Sequence, residues 1–99
     1  MRLNNYSYVH KHIRLLCLLL EKETGLKLTT NLGGDISALR FESELSYIIL
    51  DFRNMRAFIL CVNLDRKQRQ IIEELMAYCS WLEMGEKYST KNLKNFWHT

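Results

Sequence analysis

Proline is absent from this 99-residue chain and glycine occurs only four times. Together these absences exclude a collagen-like or low-complexity protein. Cysteine is scarce as well: Cys17, Cys61 and Cys79 are odd in number and far apart. No disulfide framework uses all three, so they imply a reducing, cytoplasmic compartment. Long apolar runs are missing. The stretch 13–20 is interrupted by Arg14 and is too short to span a membrane. Glu21-Lys22-Glu23 follows it, where a signal peptide places small residues. A dominant charge of one sign is also lacking. Fourteen Lys+Arg against eleven Asp+Glu leave +3, short of the concentrated excess of a dedicated nucleic-acid binder. What is present is 47% hydrophobic and 25% charged sequence, enough apolar surface to offset the entropy of ordering. The expectation is one globular domain over residues 1–99.

Hydrophobic spacing divides the chain into elements. Val9, Ile13, Leu16 and Leu20 recur every three or four residues, with Leu15 and Leu19 widening the stripe. This predicts a well-buried helix over 6–24, capped by Asn4 or Asn5 and closed by Gly25. The period then falls to two. Leu26, Leu28, Thr30 and Leu32 alternate with polar residues as in a half-buried strand. Gly33-Gly34-Asp35 turns the chain into a second strand over 36–42. Third and fourth strands follow at 46–52 and 57–63, joined by Arg53-Asn54-Met55-Arg56. Their near-continuous apolar runs predict strands covered on both faces or placed at the centre of the sheet, with Ile48, Leu50, Phe58, Leu60 and Val62 among the central positions and register deciding which of them face the helices.

Asp65 and Gln68 read as a capping box opening a second helix, whose stripe is Ile72, Leu75, Met76, Cys79 and Leu82 and whose end is Gly85. A short last helix is expected from Ser89 or Thr90 through Leu93, Phe96 and Trp97. Short links between strands make the sheet an antiparallel meander. The predicted fold class is α+β, α-β-β-β-β-α, with both long helices packed on one face of the four-stranded sheet.

Chemistry is sparsely represented. The cysteines fall within apolar stripes or strands, where thiols act as small hydrophobes. His10 and His12 point to nearly opposite sides of a helix, His98 is penultimate, and no Cys-x2-Cys pair exists, so neither a metal nor another cofactor is expected. The carboxylate pairs Glu42/Glu44 and Glu73/Glu74 lie at a turn and on a polar helix side, as solvated groups do. No phosphate-binding glycine loop, nucleophile elbow or H-E-x-x-H is present. The strongest non-core signal is basic: Arg53 and Arg56 at a hairpin tip, and Arg66, Lys67 and Arg69 in the first helical turn, where the macrodipole disfavours cations. The fourth strand separates the two groups.

These residues favour a non-enzymatic protein-binding module. The concrete form expected is a small cytoplasmic immunity or inhibitor protein that blocks a partner, such as a toxin or enzyme encoded nearby. Arginine and tryptophan dominate binding hot spots, which singles out Arg53, Arg56, Arg66, Arg69, Trp81 and Trp97 as partner-binding candidates. The element order also resembles that of double-stranded RNA-binding domains, whose second helix opens on a lysine cluster. Arg66, Lys67 and Arg69 hold a comparable place, although an extra strand is present and the family's glycine-rich turn is missing. That resemblance implies the second reading, an RNA-binding domain using Arg53, Arg56, Arg66, Lys67 and Arg69. A secretion chaperone is third.

Overall fold

The computed structural model describes residues 2–32 and 37–84. Its elements are α1 (Arg2–Thr24), β1 (Lys27–Leu28), β2 (Ala38–Glu42), β3 (Tyr47–Asp51), β4 (Arg56–Leu60) and α2 (Arg66–Met84). The strands form one open antiparallel sheet in the order β1-β2-β3-β4. The Gly33-Gly34-Asp35 turn, Gly85 and the expected helix carrying Leu93, Phe96 and Trp97 lie outside the described residues.

α1 starts at Arg2, earlier than the sequence predicts, so Asn4 and Asn5 lie inside the helix rather than at its cap. Asparagine costs a helix interior only a fraction of a kcal/mol, roughly 0.7 at most, which propagation through a long helix outweighs. The other end follows the reading. Gly25 takes φ +77, and its N–H donates to the Glu21 carbonyl at 2.8 Å, a left-handed C-terminal cap. The capping box of α2 is also formed. The Gln68 N–H donates to Asp65 Oδ1 at 2.8 Å and the Asp65 N–H to Gln68 Oε1 at 3.1 Å.

Strand register settles which face is buried. Leu39 stands opposite Leu50, and Phe41 opposite Ile48. All four are fully buried on one face. The stripes of both helices close over this face: Ile13, Leu16, Cys17 and Leu20 from α1, and Ile71, Ile72, Leu75, Met76 and Cys79 from α2. The helices run antiparallel. Gln68 Nε2 donates to the Glu23 carbonyl at 3.1 Å at one end, and the His12 and Tyr78 rings meet edge-to-face at 4.5 Å nearer the other.

Three strand expectations need correction. β1 is two residues long instead of running over 26–32, because threonine side chains replace the backbone ladder. Thr30 Oγ1 accepts from the Arg40 N–H at 2.8 Å in place of a backbone carbonyl, although the Thr29 N–H still donates to the Arg40 carbonyl. β4 stops at Leu60 because Cys61 turns to φ 55, outside the extended region. Most consequentially, β4 is an edge strand and is not covered on both faces. Ile48 and Leu50 are core, but Phe58 and Leu60 are each 46% exposed and Val62 is only half-buried.

Side-chain truncation separates the two sets. Leu50→Ala is expected to lower the unfolding free energy by about 2–5 kcal/mol. Leu60→Ala should cost less than about 1.5 kcal/mol, since half of its surface already meets water. Asp65→Ala should cost about 1 kcal/mol through loss of the cap. Urea unfolding followed by circular dichroism measures all three.

Candidate interaction surface

Among the described residues, two surfaces expose large apolar side chains. The first is the solvent side of α1. At about 100° per residue, Leu15 and Leu18 sit about 200° and 140° round the helix from Ile13. They point away from the core and are 64% and 56% exposed, with Leu19 beside them. The sequence reading placed Leu15 and Leu19 in a well-buried stripe; here they form a second, outward stripe. Exposed Lys11, Arg14 and Lys22 border it. On α2, Trp81 lies about 180° from Ile72 and is likewise part-exposed on the solvent side of the helical layer.

The second surface is the open face of the sheet and its β4 edge. The register places Tyr47 opposite Leu60, and Ile49 opposite Phe58, on the face away from the helices. Leu45 projects from the β2–β3 turn and lines a shallow cleft with Glu42, Glu44, Tyr47 and Leu60. Lys27, Arg40 and Arg56 stand on this face too, among Glu42 and Asp51. Arg40 and Glu42 approach to 3.9 Å in solvent, a separation that contributes little stability. Glu42 also accepts from Thr29 Oγ1 at 2.8 Å, so its carboxylate serves the sheet.

The basic residues do not converge. Arg53 lies in the β3–β4 turn, and Arg56 opens β4 opposite Asp51. Arg66, Lys67 and Arg69 are exposed in the first turn of α2, at the other end of β4. Lys67 Nζ is held by Glu23 Oε2 at 3.3 Å. This ion pair, with the capping box, accommodates cations at a helix N-terminus. Trp97 lies outside the described residues.

Groups with chemical potential stay apart. Among the described residues, no three His, Cys, Asp or Glu side chains are grouped to hold a metal ion. No helix among them is long and apolar enough to cross a membrane. His10 is exposed, while His12 is packed against Tyr78. Glu44 and Glu74 are exposed and Glu73 is half-buried. Cys17 and Cys79 are buried, as their stripes require, but Cys61 is exposed, contrary to its reading as a strand residue within the core. Its left-handed backbone takes it out of the strand. Burial, with a contribution from the Glu21 carboxylate, pushes the Cys17 thiol up from 9.0 to about 12. Burial, then the neighbouring Cys17, also raises Cys79. Both are therefore neutral and unreactive near neutral pH.

Sequence reasoning missed the outward leucines because it counted Leu15 and Leu19 into one broad stripe and left Leu18 unassigned. The signal was present: Leu15 and Leu18 fall on the same side as Lys11 and Lys22, so the angular spread of apolar residues was too wide for one buried face.

The thiols give a pH test. Native protein keeps the Cys17 and Cys79 protons where the unfolded chain loses them. Their contribution to stability is therefore complete below about pH 9 and declines as pH rises towards about 12. Urea titrations should show this decline, and Cys17→Ala with Cys79→Ala should flatten it. A chromogenic disulfide at pH 8 should modify Cys61 alone until denaturant is added. Compared with protein-family models, curated proteins and solved structures, the chain finds no match.

Proposed function

We propose that this chain is a non-enzymatic protein-binding module of the immunity or inhibitor kind, which occludes a partner protein with its helical layer. The observation that supports this is the outward leucine stripe of α1. A helix that already buries Ile13, Leu16, Cys17 and Leu20 has no folding use for Leu15, Leu18 and Leu19 in water. Contiguous exposed apolar surface of this kind marks an interaction site. The basic border of Lys11, Arg14 and Lys22 suits an apolar groove with an acidic rim. Trp81 supplies an aromatic anchor on the same layer, and Arg66 and Arg69 extend the basic border from the start of α2.

The RNA-binding reading draws less support. Arg53 and Arg56 are separated from Arg66, Lys67 and Arg69 by the length of β4, and Lys67 is engaged by Glu23. A phosphate track needs its cations along one path. The secretion chaperone is weaker still, since positive charge suits a chaperone of basic effectors poorly.

Co-purification with the product of the adjacent gene tests the reading. Leu15→Lys with Leu18→Lys should abolish capture while leaving the circular dichroism unchanged, each truncated anchor contributing ~2 kcal/mol or more. Arg53→Ala with Arg56→Ala, at the far end of the sheet, should leave capture intact. Binding to RNA that weakens steeply with salt would transfer the function to the alternative. Turnover of a small substrate without any protein partner would overturn the non-enzymatic reading.

A further inference from the structure

We propose that β4 pairs antiparallel with β4 of a second copy, across a two-fold axis at Phe58, joining two four-stranded sheets into one continuous sheet. This inference stands on the sheet edges and does not depend on the helical-layer reading.

The two edges of the sheet are treated differently. On the β1 side, backbone donors are occupied by side chains of α1. The Leu28 N–H donates to Glu21 Oε2 at 2.7 Å, and the Leu26 N–H donates to Thr24 Oγ1 at 3.2 Å. A further strand would have to displace these two bonds to pair there. Among the described residues, no strand pairs with the outer edge of β4. Among the described residues that edge has no proline and no inward-facing charge, and one cation, Arg56, at its start. A two-fold axis uses the same edge of both copies, so pairing closes at two and does not propagate into a fibre.

The hydrogen-bond phase fixes the register. The Thr29 N–H donates to the Arg40 carbonyl, so Arg40 faces β1. Alternation along antiparallel ladders then turns Phe41 and Ile48 towards each other, Ile49 towards β4, and Phe58 towards β3. Ala57 and Ile59 are left with N–H and C=O directed outward. A dyad at Phe58 sets Ala57 opposite the second copy's Ile59, and every one of these groups finds a partner. A dyad at Ile59 would require Cys61, whose φ of 55 ends the strand.

Side chains agree with this register. Ile59 lies on the core face, opposite fully buried Ile48, yet is 36% exposed at the rim of the core. Pairing extends that core across the dyad. On the open face, the two Phe58 rings meet as a close, non-hydrogen-bonded pair with Cα atoms about 4.5 Å apart. Each Arg56 comes opposite the second copy's Leu60, beside the cleft lined by Glu42 and Glu44. The two Arg56 residues are held about 13 Å apart along the strands. An acidic cleft beside Leu60 and a cation two residues before the dyad thus complement each other twice.

Sedimentation equilibrium of the full chain across the micromolar range tests the proposal. The expected result is a reversible species of twice the chain mass. Phe58→Lys, at an exposed position, should weaken it about thirtyfold or more with unchanged circular dichroism. Phe58→Cys combined with Cys61→Ser should give a covalent dimer under mild oxidation, since the Cα separation falls within disulfide range. The native chain should not cross-link through Cys61, which the register places about 20 Å from its counterpart. A chain that stays monomeric throughout overturns the proposal. So does a dimer that survives Phe58→Lys, one that cross-links through Cys61, or one that fails to cross-link through Phe58→Cys. Loss of heterologous capture by Phe58→Lys in a monomeric chain would assign the edge to a different protein.

Discussion

A four-stranded sheet has two faces and two edges, and two helices lying side by side cover only one face. That shortage of cover governs the rest of this molecule. Leu39, Phe41, Ile48 and Leu50 take the helix-covered face, and the register then commits Tyr47, Ile49, Phe58 and Leu60 to the other. Alternation along a strand allows no compromise, because side chains of adjacent residues leave opposite faces. Apolar residues on β3 and β4 in excess of the helix-covered face, Phe58 and Leu60 among them, are therefore open to solvent.

The helical layer repeats the same arithmetic. Leu16 and Leu20 turn towards the sheet while Leu15, Leu18 and Leu19 turn away. Two helices placed side by side can cover each other's flanks but not each other's backs. The structure thus presents apolar surface on both outer layers: leucines with a basic border on the helices, and aromatic and aliphatic residues with mixed charge on the sheet. These are different chemistries on opposite sides.

Local signals in the sequence were strong wherever the physics is local. The capping box Asp65-Gln68 and the Gly25 cap involve backbone groups within four residues, so residue type and spacing identify them. The meander was legible because each link between strands is too short for a crossover. β1 was overextended because threonine alternates like a strand residue yet satisfies the backbone with its hydroxyl. The separation of Arg53 and Arg56 from Arg66, Lys67 and Arg69 was readable from strand length alone. The pairing of Lys67 with Glu23 was not, since it joins residues far apart in the chain.

By itself, then, the sequence determined the types and order of the two long helices and four strands, the antiparallel sheet and the inward positions Ile13, Leu16, Leu20, Ile72, Leu75, Met76 and Cys79, because periodicity and short connections encode these directly. Tertiary structure alone decided that β3 is central and β4 is an edge, that Phe58 and Leu60 are open to solvent, and that Cys61 leaves the strand. An apolar run such as 57–62 reads the same whether it is flanked on both sides or on one. Burial is a property of what else is near, and the neighbours of β4 are set by how many strands precede it and where the helices come to rest.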